Sequence, residues 1–320
     1  MSERLNAKPD SRPEQLGRDG LDRRGLLKCM AWAGAGVLWS VVGGVPRSMG
    51  LADAYAGTMG GLTFVQISDS HIGFKQAANP HPDATMTQAI ASISGLPTPP
   101  AFLIHTGDIT HLSKPAQFDM AAEIIKGANS EVHYVPGEHD WLDGGTEFKA
   151  RHGSGTVGDG WYSFDSQGVH FIALVNVANF KAGSLTSLGA DQIAWLKDDV
   201  SGLAASTPIV VFTHIPMWAV FPKWGWGTED SGQALELLKR FGSVTVLNGH
   251  IHQVLQKVEG NVTFHTAMST AYPQPAPGAA PAPGPLKVPA DKLGGYLGIR
   301  EVTYVEGQSS LALLDKPLMA

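Results

Sequence analysis

The chain has 320 residues, of which 43% are hydrophobic and 16% charged, a composition typical of a folded globular protein rather than a disordered one. Its single cysteine excludes an internal disulfide framework, a cysteine-based zinc site and an iron–sulfur cluster. A net charge of −6 argues against a protein that coats nucleic acid.

Residues 1–56 are predicted to be a disordered polar start followed by an export signal. Arg23 and Arg24 precede an apolar run from Cys29 to Val45, and this pattern resembles a twin-arginine signal. An uncleaved membrane anchor is the alternative, although so short a run is marginal for spanning a bilayer. Cleavage near residues 54–56 would give a periplasmic or secreted protein, carried by the twin-arginine export machinery and left without a stable membrane anchor.

Residues 57–320 are predicted to form one domain in which strands first alternate with helices, at the spacing of βαβ units. The predicted strands are 62–68, 101–105, 132–135, 161–164, 169–175, 208–213 and 244–247, and the helices are 84–96, 115–128, 189–203 and 231–241. Four mostly antiparallel strands follow at 254–258, 262–265, 296–305 and 309–314. The Pro-rich segment 273–289 is predicted to be an inserted loop, with a lid or a partner-docking strip as the alternative.

Polar side chains follow five of the predicted strands, at the carboxyl ends where ligands bind in open α/β sheets. The groups are Asp69 with His71, Gly107 with Asp108, Gly137 with Glu138, His139 and Asp140, then His214, and finally Gly249 with His250 and His252. Imidazole and carboxylate ligands without thiolates suit Zn, Fe, Mn or Ni. The number and order of these groups predict a binuclear metal site.

These motifs resemble those of the calcineurin-like metallophosphoesterases, which carry Asp-x-His, Gly-Asp, Gly-Asn-His-(Asp/Glu), His and Gly-His-x-His in this order. The resemblance spans Phe64 to His252, and the small size also resembles the bacterial branch that includes cyclic-nucleotide phosphodiesterases. It implies an α/β fold, a four-layer αββα sandwich of two mixed β-sheets flanked by helices. It also implies two divalent or mixed-valence metal ions (Fe, Mn or Zn) and a small-molecule phosphoester substrate.

The resemblance further implies a role for each motif residue. Its metal ligands fall on Asp69, His71 and His252 for the first ion, on Glu138, His214 and His250 for the second, and on Asp108 as the bridge. A hydroxide bound to the metals would attack phosphorus, and His139 would protonate the leaving oxygen. Asp140 would hold the ring of His139 in the required tautomer.

One position departs from the family pattern, because Glu138 stands where the family has asparagine. An ionised carboxylate is anionic and has no hydrogen to donate, unlike an amide. If Glu138 is a ligand of the second metal, we expect tighter metal binding and weaker attraction for phosphate anions. A displaced or absent second metal is the alternative.

Several residues outside the motifs are candidates for substrate contact. His111, Trp224 and Trp226 are predicted to face the substrate, with a surface loop position for His111 and hydrophobic packing for the tryptophans as alternatives. Trp218 is expected to be packing, and His105 a buried core residue.

The leading function is therefore an exported, metal-dependent hydrolase of phosphodiesters. The alternatives are a phosphomonoesterase that scavenges phosphate and a metal-binding protein in which Glu138 has cancelled hydrolysis. The mature chain lacks the Gly-x-Ser-x-Gly elbow of serine hydrolases, a P-loop and a dinucleotide-binding glycine pattern.

Overall fold

The computed structural model describes residues 61–304 and 311–318 with their side chains, and the backbone of residues 37–42 and 45–50. Strands β1 (Val37–Val42) and β2 (Val45–Gly50) form a separate two-stranded sheet. The paired arginines and the cleavage region of the predicted export signal lie outside the described residues. Among the residues described, no helix has the length and hydropathy needed to cross a lipid bilayer.

The remaining elements alternate first as strands and helices and end as strands. In chain order they are β3 (Leu62–Ile67), α1 (Pro82–Ser94), β4 (Phe102–His105), α2 (Pro115–Ile125), β5 (Glu131–Tyr134), α3 (Thr146–His152), β6 (Tyr162–Ser166), β7 (Val169–Ala173), α4 (Ala190–Val200), β8 (Ile209–Phe212), α5 (Ser231–Leu238), β9 (Val244–Asn248), β10 (Gln256–Glu259), β11 (Val262–Thr266), β12 (Gly298–Tyr304) and β13 (Leu311–Pro317). Single turns of 3-10 helix include Glu138–Asp140 and Pro222–Trp224.

Two mixed sheets form the centre of the fold. One has the strand order β13-β12-β3-β4-β5, and the other has the order β10-β11-β9-β8-β7-β6. In the first sheet β3, β4 and β5 are parallel while β12 is antiparallel to both of its neighbours. In the second sheet β7, β8, β9 and β11 are parallel, and β6 and β10 are antiparallel edge strands.

Three hydrophobic clusters separate the layers, because successive side chains of a strand point to opposite faces of its sheet. On β3, Phe64 packs between the two sheets, whereas Val65 faces the helices α1 and α2. On β8, Val210 faces the other sheet and Val211 faces α4 and α5. The order is therefore helices, sheet, sheet, helices, which confirms the predicted four-layer αββα sandwich.

The structure departs from the predicted elements in two places. Helix α3 was not predicted, since its seven residues are too few for a helical hydrophobic period to be visible. Strand β11, the second of the four closing strands predicted to be mostly antiparallel, pairs in parallel with β9, with Phe264 opposite Val246. The predicted strands β6 and β7 pair with each other in antiparallel fashion.

The register of the parallel strands places the loops that follow them side by side. Ile67 at the end of β3 pairs with His105 at the end of β4, which in turn pairs with Tyr134 at the end of β5. The next residues of each chain segment therefore begin at one edge of the sheet. In the second sheet, Phe212 pairs with Leu247, so the loops after β8 and β9 also begin together.

Candidate metal centre

Five loops at these strand ends bring imidazoles and carboxylates into overlapping sets whose ligand atoms lie within 4.8 Å of one another. Three sets contain the predicted metal ligands, namely Asp69 with His71 and His252, Glu138 with His214 and His250, and Asp69 with Asp108 and His214. The structure thus brings together all seven residues that the sequence predicts as ligands, in sets that overlap because Asp69 and His214 each belong to two of them.

Asp108 lies between the two halves of this centre. Its Oδ2 is 3.4 Å from Nε2 of His71 and 3.5 Å from Nε2 of His214, which belong to different sets. Its other oxygen, Oδ1, accepts a hydrogen bond from the backbone N–H of His139 at 2.9 Å. One carboxylate oxygen is therefore free to contact two ions while the other fixes its orientation.

The first set is oriented by hydrogen bonds from outside it. Nδ1 of His252 donates to the carbonyl oxygen of Tyr272 at 2.5 Å, so Nε2 is the nitrogen that faces Asp69, 3.3 Å from its Oδ1. The Asp69 carboxylate accepts from the backbone N–H of His250 at 3.0 Å. Histidine ligands in metalloproteins are oriented in this way, with the second nitrogen donating to a carbonyl or carboxylate.

The second set contains buried polar atoms without a hydrogen-bond partner. Oε2 of Glu138 lies 2.8 Å from Nε2 of His214, and its Oε1 lies 3.1 Å from Nδ1 of His250. Nδ1 of His214 donates to the carbonyl oxygen of Thr106 at 2.7 Å. Despite these short distances, three buried atoms have no hydrogen-bond partner of suitable geometry, namely Glu138 Oε2, His214 Nε2 and His250 Nδ1. Because buried polar groups are normally satisfied, three such atoms converging on one point fit a bound cation.

The charges in this set shift the pKa values of its own members. Burial alone would raise the pKa of Glu138, but the neighbouring His250 and His214 outweigh it and hold that pKa well below the usual value. Burial alone would lower the pKa of His214, but Asp108 and Glu138 reverse the effect and raise it. Both shifts follow from the attraction between the Glu138 carboxylate and the neighbouring imidazoles.

The backbone at the predicted ligands is unusual. Of the described non-glycine residues with positive φ, five are predicted metal ligands, namely Asp69 at 53°, His71 at 42°, Asp108 at 52°, His250 at 68° and His252 at 54°. Residues with a β-carbon rarely adopt this left-handed conformation, and such strain clusters at functional sites. The strained loops turn sharply enough to aim each side chain back toward the centre.

Two motif glycines make room for the carboxylates. A β-carbon at Gly137 would lie 2.0 Å from Oδ1 of Asp108, and one at Gly249 would lie 2.7 Å from Oδ2 of Asp69. No side chain fits at either distance. Glycine at these two positions is therefore explained by close packing, against Asp108 at Gly137 and against Ser68 and Asp69 at Gly249.

The structure corrects the predicted role of Asp140. Its Oδ1 accepts hydrogen bonds from the backbone N–H and the hydroxyl of Thr110, and its Oδ2 accepts from the N–H groups of Ile109 and Gly137. Both oxygens of the carboxylate thus accept hydrogen bonds from residues other than His139, so Asp140 does not hold the ring of His139. Asp140 instead ties the loop after β4 to the loop after β5.

His139 is oriented by a different partner. Its Nδ1 lies 2.8 Å from the carbonyl oxygen of His111, and the rings of these two histidines stack with centroids 4.7 Å apart. Burial would lower the pKa of His139, but the charges of Asp108 and Glu138 outweigh it, so its pKa is raised. Burial and the neighbouring His139 lower the pKa of His111 to about 4, so that ring is neutral.

A cavity of about 240 Å³ opens above the centre. The predicted substrate-facing residues His111, Trp224 and Trp226 all line it. Sequence reasoning missed Tyr272, whose hydroxyl lies 3.2 Å from Nε2 of His71, and Phe180. Neither follows a predicted strand end in a metal-binding motif, so the only signal was the position of Tyr272 at the start of the Pro-rich segment.

Charged side chains lining the cavity are acidic. Within the part of the chain that the structure describes, Asp108 and Glu138 line it, and neither lysine nor arginine does. The Pro-rich segment contributes Pro283, Gly284 and Pro285 to one side. It is irregular, as predicted, and it forms part of the cavity wall.

Two further predictions concern residues outside the cavity. His105 is buried, and its Nε2 lies 2.9 Å from the hydroxyl of Ser70, which confirms a hydrogen-bonded core residue. Trp218 packs against Phe264 with ring centroids 5.2 Å apart, which confirms its expected role in packing.

Comparison with known proteins finds one family described as calcineurin-like phosphoesterase, whose profile matches residues 62–254. The serine/threonine-protein phosphatase CPPED1 of Danio rerio is 25% identical over 185 residues, which are 52% of this chain and 58% of that protein. Purple acid phosphatase 15 of Arabidopsis thaliana is 33% identical over 103 residues, 31% of this chain and 18% of that protein. The chain spans about half the length of the CPPED1 relatives it matches.

Solved structures share the fold. A dimetal phosphatase from Danio rerio superimposes with a TM-score of 0.55 at 12% identity, covering 80% of this chain and 99% of that one. A purple acid phosphatase from yellow lupin gives a TM-score of 0.54 at 11% identity, covering 82% of this chain and 52% of that one. At such low identity the likeness establishes the architecture alone.

Proposed function

The chain belongs to the calcineurin-like phosphoesterase family, and on that premise we propose that it hydrolyses phosphodiesters at a binuclear metal centre. Family membership and the phosphatase relatives support a phosphoester hydrolase. The observation that carries the binuclear proposal is the position of Asp108 Oδ2, within 3.5 Å of one imidazole from each ligand set. Asp69, His71 and His252 would hold one ion, Glu138, His214 and His250 the other, and Asp108 both.

The bound ions would lower the pKa of a water molecule to give the nucleophile and would neutralise charge on the phosphoryl oxygens. The protein supplies the proton for the leaving group. Because the carbonyl of His111 occupies Nδ1 of His139, Nε2 is the nitrogen available to donate to the leaving oxygen.

The charge of the cavity favours a diester over a monoester. A phosphodiester carries one negative charge and a monoester carries nearly two near neutral pH. Glu138 adds a negative charge that an asparagine would lack, and no lysine or arginine among the described residues lines the cavity to offset it. With the two proposed ions bound, the site therefore carries one positive charge fewer than it would with asparagine, which weakens the attraction for the doubly charged substrate more than for the singly charged one.

A phosphomonoesterase is the second candidate, favoured by the names of the relatives, which are phosphatases. The experiment that separates the two loads the purified protein with Mn, Zn or Fe and compares bis-p-nitrophenyl phosphate with p-nitrophenyl phosphate. Diester turnover that Asp108→Asn and His139→Ala both reduce supports the proposal, and faster monoester turnover supports the alternative. If no metal gives turnover above that of the variants although metal analysis finds bound ions, the protein binds metal without hydrolysis.

The cyclic-nucleotide branch of the family is a finer form of the same proposal. It rests on the small size and the order of the motifs. Including 3′,5′-cyclic AMP beside the linear diester in the same assay tests it. Hydrolysis of the linear diester without that of the cyclic one would place the protein elsewhere in the family.

Export through the twin-arginine route is proposed from Arg23, Arg24 and the apolar run that follows them. Replacing both arginines with lysine keeps the charge but removes the paired guanidinium groups. We expect the precursor to accumulate in the cytoplasm, measured by fractionation and immunoblotting. Unchanged export of the double variant would contradict this assignment.

A further inference from the structure

We propose that one side of the cavity, the aromatic–proline wall formed by Phe180, Trp224, Trp226, Pro283 and Pro285, binds an aromatic substituent on the non-leaving oxygen of the phosphodiester. This inference rests on the proposed function and adds the substrate class. It follows from the position of the wall, the hydrogen bonds that hold it and its lack of charge.

The aromatic–proline wall borders the second ligand set. The ring centroid of Phe180 is 6.3 Å from that of His250, and the ring centroid of Trp226 is 6.4 Å from it. The ring of His139, the proposed proton donor, contacts His71 and His111 at 4.8 Å and 4.7 Å between ring centroids, and one of its nitrogens lies within 4.8 Å of the carboxylates of Asp108 and Glu138. The wall borders His250 instead, so an ester whose leaving group is directed to His139 has its other substituent nearer the wall.

The Pro-rich part of the wall is held to the metal centre by hydrogen bonds. Nε2 of Gln274 donates to the carbonyl oxygen of His250 at 2.8 Å, and Oε1 of the same amide accepts from the N–H of Gly284 at 3.1 Å. Nε2 of Gln253 donates to the carbonyl oxygen of Pro275 at 2.8 Å. A surface that is already ordered loses little entropy when a ligand binds.

The two tryptophans pack against the Pro-rich segment and support it. Trp224 and Trp226 meet edge to face, with centroids 4.9 Å apart and planes at 82°, and Ala280 of the Pro-rich segment packs against them. Trp226 is only 1% exposed, so it supports the wall, while Phe180 and the two prolines retain accessible surface. The contact surface offered to a ligand is therefore mainly the faces of one phenyl ring and two pyrrolidine rings.

This surface selects by shape and dispersion rather than by charge. Its side chains carry no charge, and the Gln274 amide beside it already has a partner on each end. A polar or charged substituent would lose its hydration there without compensation, whereas an aromatic ring would gain contact with flat apolar faces. The complete ligand is thus an anionic phosphate with an aromatic group on the side away from His139.

The test uses two substrates with the same leaving group. Phenyl p-nitrophenyl phosphate and methyl p-nitrophenyl phosphate both release p-nitrophenolate, so a difference reports the non-leaving substituent. We expect kcat/KM to favour the phenyl ester by about tenfold, the scale of one well-packed aromatic contact, and mainly through KM. An equal or higher kcat/KM for the methyl ester overturns the proposal.

Matched variants in the same segment locate the contact. The double variant Pro283→Ser and Pro285→Ser should reduce the phenyl-to-methyl ratio by at least threefold, and Phe180→Ala should do the same. The control, Pro277→Ser and Pro281→Ser, changes exposed prolines that do not line the cavity and should leave the ratio as it is. Equal effects of the wall and control variants on the ratio would overturn the assignment to the wall.

A binding measurement without metal separates this inference from the proposed function. Quenching of tryptophan fluorescence in the metal-free protein should report tighter binding of diphenyl phosphate than of dimethyl phosphate, by about tenfold, with a loss in the Pro283→Ser and Pro285→Ser variant. If the protein shows this preference but hydrolyses neither ester, the wall is supported and the proposed hydrolysis fails. Hydrolysis of both esters without a binding preference gives the reverse result.

Discussion

The carbonyl oxygen of His111 accepts a hydrogen bond from Nδ1 of His139 at 2.8 Å, and this contact fixes the ring proposed to protonate the leaving group. A backbone carbonyl accepts at any pH used in an assay, so the tautomer of His139 does not depend on the protonation of a carboxylate. The stacked ring of His111, 4.7 Å away, covers one face of the imidazole. Orientation and shielding thus both come from one neighbouring residue.

Replacing His139 with alanine should reduce kcat by about a hundredfold to ten-thousandfold for diesters with poor leaving groups, since the proton donor is lost. The reduction should be smaller for p-nitrophenyl esters, whose leaving anion is stable without a proton. Steady-state kinetics over a series of leaving groups measures the difference. An equal reduction across the series, with unchanged metal content, would show that His139 does not donate this proton.

Asp140→Asn should destabilise the protein and disturb the centre indirectly. The amide nitrogen would face N–H groups of Ile109, Thr110 or Gly137 that now donate to a carboxylate. We expect the free energy of unfolding to fall by about 2–3 kcal/mol, the scale of hydrogen bonds to a charged group. Urea denaturation measures it, with Asp198→Asn as a control at an exposed position.

Glu138→Asn restores the family residue and should weaken binding of the second ion. The variant loses a negative charge that contacts both His214 and His250. We expect a lower metal affinity and a higher monoester-to-diester rate ratio, since repulsion of the doubly charged substrate decreases. Metal analysis by mass spectrometry and paired kinetics check both. One ion per chain in the wild-type protein and in the variant would contradict the role of Glu138 as a ligand.

Gly137→Ala should abolish activity while Gly202→Ala leaves it intact. The added methyl group at position 137 would lie 2.0 Å from Oδ1 of Asp108, whereas at position 202 it meets no atom within 4 Å. The loop has to move, and the carboxylate proposed to bridge the ions moves with it. Activity and metal content, measured on protein whose circular dichroism is unchanged, test the effect at the centre rather than on folding.

His170 lies outside the metal centre and should make stability depend on pH. Its Nδ1 is 2.8 Å from Oδ1 of Asp165, and its Nε2 is 3.0 Å from Oδ2 of Asp199. Burial would lower the pKa of His170, but the hydrogen bonds to Asp199 and Asp165 outweigh it and raise the pKa. The folded protein therefore holds this proton more tightly than the unfolded chain does.

The stabilisation by protonated His170 is complete below its unfolded pKa of about 6.5 and is lost as pH rises through the raised folded value. His170→Gln should reduce the free energy of unfolding at pH 6 by about 1–2 kcal/mol, the scale of a hydrogen bond between charged partners. The difference from wild type should shrink above the folded pKa. Denaturation curves from pH 5.5 to 9 measure it, and a difference that grows with pH would reverse the sign.

The sequence predicted the members of the centre better than the contacts among them. The seven ligands follow strand ends, and parallel strands bring such ends together, so their proximity followed from the order of the elements. The hydrogen-bond partner of His139 did not follow from the order of the elements. Asp140 is adjacent in sequence, but the tight turn at Glu138–Asp140 sends its side chain toward the loop after β4. Which way a loop side chain points depends on backbone angles that no local pattern reveals.

The residues that form the cavity wall could not all be predicted from the sequence pattern either. Trp224 and Trp226 were candidates because of their residue type, whereas Phe180 lies in a loop before α4 with no motif around it. The composition of the Pro-rich segment predicts a low-complexity insertion. Its position in the structure depends on hydrogen bonds with residues outside the segment, such as His250 and Gln253. Hydrogen bonds between loops far apart in the sequence leave no periodic signal in it.

The left-handed backbone angles at Asp69, His71, Asp108, His250 and His252 have a consequence for how the centre forms. Each such angle costs about 1 kcal/mol or more, and the packing and hydrogen bonds of the folded chain offset it. The backbone at these five residues thus sets the directions from which their side chains approach the centre. An ion whose preferred geometry departs from these directions would bind less well, so the backbone as well as the ligand type would affect which metal the centre takes.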